Sequence, residues 1–102
     1  MPWKNNNDWY HYNEETIKAK APETSGIYGL YNIQKWVYIG EADNIREQLL
    51  VHKRNGASEL RLQRPTAFTF EHCPPERRAK RREELIAEWK PVITEATNRS
   101  PV

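Results

Sequence analysis

The feature that most constrains this chain is a pair of tripeptides, Gly26-Ile27-Tyr28 and Tyr38-Ile39-Gly40, set ten residues apart in a β-favouring stretch. Ile27-Tyr28-Gly29-Leu30-Tyr31 and Trp36-Val37-Tyr38-Ile39 are rich in the branched and aromatic side chains that suit a pleated, half-buried surface. The polar break Asn32-Ile33-Gln34 between them predicts a β-hairpin. With a three-residue loop over those positions Tyr31 pairs with Lys35, and the same register puts Tyr28 directly opposite Tyr38 on one face of the sheet. Two phenol rings then meet.

A chain of 102 residues carries one core, because a second would bury too little apolar surface to offset the entropy of ordering it. The composition, 37% apolar and 29% charged, is lean, and four Trp, five Tyr and two Phe concentrate the burial in large side chains. No stretch approaches the roughly 20 apolar residues of a membrane helix, and Met1 to Asp8 lacks the apolar run of a secretory signal. A cytoplasmic protein without membrane contact is expected. Cys73 is the sole cysteine, which excludes an intrachain disulfide and a zinc thiolate cluster.

The net charge of +2 decides little, but its distribution is uneven. Residues 77 to 82 read Arg-Arg-Ala-Lys-Arg-Arg, and Lys53-Arg54 with Arg61 and Arg64 make a second basic stretch. Either is a solvated helix face or a surface for a polyanion.

Residues 1–24 read as an N-terminal extension, polar at first and then carrying Trp9, Tyr10 and Tyr12 in a short packed segment. Asn13 is placed to cap a helix over Glu14 to Lys20 that ends before Pro22. The main domain spans 25–95, and 96–102 form a tail. After Gly40, Asp43 or Asn44 caps a second helix, with Glu47 completing a capping-box-like start and Gly56 a plausible stop. Ile45, Leu49 and Leu50 give this helix its packing stripe, while Gln48 and His52, four apart, share a face flanking the hairpin's end.

Thr66 to His72 alternates as a strand, with Phe68 and Phe70 pointing one way. Pro74-Pro75-Glu76 then opens the longest helix, which Pro91 stops. Leu85, Ile86 and Trp89 define its apolar arc, which extends back through Arg82 and Arg78 and leaves Arg77, Lys80 and Arg81 on the exposed side beside Glu84 and Glu88.

This order of strand, turn, strand, helix, strand and helix, with Ser25-Gly26-Ile27-Tyr28 and Tyr38-Ile39-Gly40 at its head, resembles the GIY-YIG nuclease family over about residues 25 to 95. The resemblance implies an α/β (α+β) domain, a three-stranded antiparallel sheet flanked by helices, and divalent-metal-dependent endonuclease cleavage of nucleic-acid phosphodiesters, DNA above all. It makes Tyr28 and Tyr38 the hairpin tyrosines, Gly26 and Gly40 their neighbouring glycines, and His52 a candidate for substrate contact or proton relay. It implies Mg2+ or Mn2+ as cofactor, and a protein partner that supplies specificity.

Two positions depart from the family pattern. Gln48 stands eight residues after Gly40, where the resemblance implies an arginine, and Arg46, two residues earlier, projects from another side of the helix. Arg82 stands where it implies the metal-binding glutamate, leaving Glu83 as the fallback ligand. After the last helix, Pro91-Val92-Ile93-Thr94 also lacks the asparagine that often follows the family's closing proline, and only Asn98 lies nearby. Three readings follow: an active nuclease with rearranged partners; a nucleic-acid-binding module that holds phosphates through Arg77, Arg78, Lys80, Arg81 and Arg82; and a protein-interaction domain in which Arg82 pairs with Glu41 or Glu71.

Overall fold

The computed structural model describes residues 9–32, 35–55 and 64–91. In chain order the elements are β1 (Tyr10–His11), α1 (Glu14–Lys20), β2 (Gly26–Tyr31), β3 (Trp36–Ala42), α2 (Ile45–Asn55), β4 (Ala67–His72) and α3 (Pro75–Trp89). The sheet is antiparallel throughout, in the order β1-β4-β2-β3. It has four strands where the sequence predicts three, because Tyr10 and His11 add a two-residue edge beside Phe68 and Ala67. A pair so short leaves no periodicity to read.

Local chemistry sets the helix starts. The Asn13 carboxamide accepts from the Thr16 amide at 2.7 Å, the Asn44 carboxamide accepts from the Glu47 amide at 3.0 Å, and Pro74-Pro75 opens α3 without a side-chain cap. At its other end Lys90 turns left-handed, with φ 50°, ahead of Pro91. The predicted stop at Gly56, the basic residue Arg61 and the tail lie outside the described residues.

The hairpin register differs from expectation. Tyr28 pairs with Gly40, Gly29 with Ile39 and Leu30 with Tyr38, but Tyr31 pairs with Trp36. One extra residue, Val37, is therefore accommodated as a bulge between the Leu30 and Tyr31 pairs. Tyr28 and Tyr38 are two positions out of direct opposition, a shift that keeps both on one face.

The sheet is covered on both sides. Toward α1 and α2 lie Tyr28, Leu30, Val37, Tyr38 and Phe68, packed with Ile17, Ala21, Ile45 and Leu49. Toward α3 lie Ile27 and Ile39 with Cys73 and Leu85, and Trp36, Ile86 and Trp89 close that layer. No helix among the described residues is long and apolar enough to cross a membrane.

Helix α3 sits differently from its apolar pattern. Arg81 is buried, only 6% exposed, whereas the sequence places it outward. The cause is Glu71 on β4, 2% exposed and facing α3, whose carboxylate needs a cation once it leaves water. Arg81 supplies it twice over, Nε donating to Oε2 at 2.5 Å and Nη2 to Oε1 at 3.0 Å, while Nη1 reaches Glu84 at 3.3 Å. The residue paired with Glu71 is thus Arg81, where the sequence reading offered Arg82.

Candidate functional site

The site grows from the face of β2 and β3 that meets α2. Tyr28 and Tyr38 lie with ring centroids 6.0 Å apart, and His52 packs 5.5 Å from the first ring and 5.8 Å from the second. Gly40 allows this approach: a Cβ there would lie 2.6 Å from the Tyr28 hydroxyl and 2.7 Å from the Tyr38 ring. Gly26 has a similar function in packing, since a Cβ would strike the Glu71 carbonyl and lie 2.6 Å from Ile45 Cδ1. Both glycines serve close approach of backbone and rings.

Tyr28 is 1% exposed and its hydroxyl donates to His52 Nε2 at 2.6 Å. The Gln48 carboxamide nitrogen stands 3.5 Å from the same ring nitrogen. Two donors converging on Nε2 assign the ring proton to Nδ1, which is buried and without a hydrogen-bond partner among the described residues. His52, 4% exposed, is pushed down to a pKa of about 4 by burial, so the imidazole is neutral. Burial, and then the neighbouring Tyr38, raise the Tyr28 phenol well above its ordinary value, while the charge of Arg82 acts in the opposite direction. Tyr28 therefore holds its proton at neutral pH and is a hydrogen-bond donor. Tyr38, 7% exposed, is the more accessible of the two phenols.

The remaining predicted residues divide. Gln48 reaches His52 and is half-buried. Arg46 is engaged with the α1–β2 connection, donating from Nε to the Ala21 carbonyl at 2.8 Å and pairing with Glu23 at 3.5 Å. Arg78 bridges α3 to the β3–α2 turn, 3.3 Å from Glu41 and 2.5 Å from Asp43. Those two arginines hold the fold. In the second basic stretch, Arg54 forms two hydrogen bonds to Glu14 and Lys53 lies over the Tyr12 ring.

Successive helix residues are about 100° apart, so Arg81 and Arg82 leave the buried arc of α3 on opposite flanks. Arg81 turns toward Glu71 on β4, and Arg82, half-buried, takes the other flank. Glu83, a further 100° or so round, is exposed on the outer side. Among the described residues no three His, Cys, Asp or Glu side chains form a group able to hold a metal ion. With a guanidinium at position 82 and the Glu83 carboxylate exposed, the two residues considered for the metal position do not fit a divalent cation.

The sequence names Glu71 as an inward carboxylate but assigns it to Arg82, and so misses the role of Arg81. A signal existed: if helices cover both faces of the sheet, the residues between Phe68 and Phe70 and beyond them are buried as well.

No protein-family model matches the chain, and no curated protein matches it by sequence. Solved structures do. One is the GIY-YIG N-terminal endonuclease domain of UvrC from Thermotoga maritima bound to its catalytic divalent cation, magnesium, at TM-score 0.61 and 23% identity, covering 74% of this chain and 91% of that one. An asparagine-to-alanine point mutant of the same domain, also holding its catalytic divalent cation, matches at TM-score 0.62 and 21% identity over 74% and 90%. The chain has the GIY-YIG fold.

Proposed function

We propose that this chain is a nuclease-type domain that acts on the phosphodiester backbone of nucleic acid, DNA in the first instance, and that it retains backbone binding while hydrolysis is strongly weakened. The observation that carries the reading is Arg82: on the fold of a magnesium-bound endonuclease domain, a half-buried arginine stands where the resemblance implies the metal-binding glutamate. A guanidinium there holds a phosphate by charge-assisted hydrogen bonds. Tyr38 and Gln48 add neutral contacts, and the buried Tyr28–His52 pair keeps the wall of the cleft in shape.

The same residues account for weak hydrolysis. Tyr28 keeps its proton and the His52 nitrogen that could accept one is occupied. Gln48 brings no charge to a transition state, and loss of one such donor costs on the order of a hundredfold to a thousandfold in rate. Magnesium or manganese, which the resemblance implies, would depend on the outward Glu83, so no step is assigned to a metal. A protein partner supplying sequence specificity and a cytoplasmic location remain part of the proposal.

A plasmid-nicking assay with magnesium or manganese, run beside oligonucleotide binding at several salt concentrations, tests it. Binding that falls steeply with salt and nicking reduced to trace levels are expected. Metal-dependent nicking abolished by Tyr38→Phe and Glu83→Ala would restore the full enzyme, and absence of any salt-sensitive binding would leave a protein-interaction domain.

A further inference from the structure

The basic run does not form one surface. Arg82 falls on one flank of α3, but Arg77, Lys80, Arg81 and Glu84 fall on the other, at the spacing of one helical stripe. That flank lies toward β4, where Arg81 meets Glu71. Beside this contact is a cavity of about 480 Å³ lined by these four residues together with His72, Cys73 and Pro74.

Its electrostatics are built from below. Glu71 and Glu84 both bind Arg81, so the three form a closed group at the floor with one excess negative charge. Arg77 and Lys80 stand exposed on the wall and outweigh it, leaving the cavity net positive. His72, exposed, has its Nδ1 3.0 Å from the Thr24 hydroxyl, which holds the ring at the rim. A fork of guanidinium donors beside a compact ammonium charge, in a concave site of this size, suits a phosphate group.

We infer that this cavity is a second phosphate-binding site, separate from the tyrosine pair, which lies on the opposite face of the sheet. Its ligand is a backbone phosphate of the strand whose neighbouring segment lies at Arg82. That assignment rests on the nucleic-acid reading above; the affinity of the cavity for phosphate itself does not.

The test is the double variant Arg77→Ala/Lys80→Ala in the full chain, with thermal melting as the check of folding. Oligonucleotide affinity is measured against salt, and inorganic phosphate is titrated while backbone amide resonances are followed. The expected result is about a tenfold weaker binding at low salt and a salt slope shallower by roughly 1.5 to 2, one contact per lost cation. Inorganic phosphate should shift the amides of residues 72–81 in the wild type and leave them still in the variant. An unchanged slope in a folded variant overturns the strand contact. If the wild type binds no oligonucleotide, the nucleic-acid reading fails while phosphate shifts at 72–81 sustain the site for a free phosphate compound. Absence of those shifts overturns the site altogether.

Discussion

Both faces of the sheet bury polar side chains, and they do so in opposite ways. Toward α2 the pair is neutral, Tyr28 with His52; toward α3 it is ionic, Glu71 with Arg81. The ionic pair satisfies its charges in place, with two hydrogen bonds between carboxylate and guanidinium and a third to Glu84. The neutral pair avoids charge altogether, because burial holds the phenol protonated and the imidazole unprotonated. One side is therefore a clamp whose cost is already met when the chain folds. The other is a wall that stays intact only while no proton is forced onto it.

The contrast breaks most decisively at the clamp. Arg81→Ala leaves the Glu71 carboxylate buried without its cation, and a loss of about 3–5 kcal/mol in urea denaturation is expected. Arg81→Lys should recover only part of it, since an ammonium cannot reproduce the forked contact. A loss below about 1 kcal/mol would mean that water or another cation reaches Glu71, and the distinction between the faces would fall.

The wall is tested by acid. His52 has a folded pKa of about 4 against an ordinary value of 6.5, so between those values the unfolded chain takes a proton that the folded one refuses. Its contribution is complete above pH 6.5 and disappears as pH falls toward 4, a decline of roughly 3 kcal/mol at the rate of 1.4 kcal/mol per unit. Urea denaturation as a function of pH checks this, with His52→Gln expected to flatten the slope in that window. A variant as steep as the wild type would place the titrating group elsewhere.

The smallest expected effect on stability sharpens the other half of the comparison. Arg82 is half-buried at the edge of its layer, and Arg82→Ala should cost under about 1 kcal/mol while weakening oligonucleotide binding. Adjacent arginines would then separate cleanly, Arg81 moving stability and Arg82 moving affinity. Equal effects of both on stability would remove Arg82 from the site.

How far the sequence reaches follows from the range over which each feature is encoded. The hairpin, the two capped helices and the proline-opened α3 rest on neighbouring residues, and they stand in the fold as read. The resemblance carried by Gly26-Ile27-Tyr28 and Tyr38-Ile39-Gly40 agrees with the solved structures at the level of fold. What escaped was set at a distance. The inward turn of Arg81 depends on Glu71 ten residues earlier in another element, which helical periodicity alone does not register. The hairpin register slipped for a subtler reason: loop length was read from polar residues, while the bulge lies within the apolar run. The nearness of Gln48 to His52 follows from their four-residue spacing, but the burial that keeps His52 neutral comes from packing on Tyr28 and Tyr38.

The extra residue in β3 has a consequence for what one strand can serve. In an unbroken strand, positions 36 and 38 project the same way. Here Tyr38 belongs with His52, whereas Trp36 packs against Trp89 on α3 with the rings tilted, 5.4 Å between ring centres. Val37 acts as a half-turn in a screw: on one side of it the thread advances the chemistry, and on the other it fastens the last helix. Shortening the strand by that residue would force a choice between a fastened helix and a facing phenol.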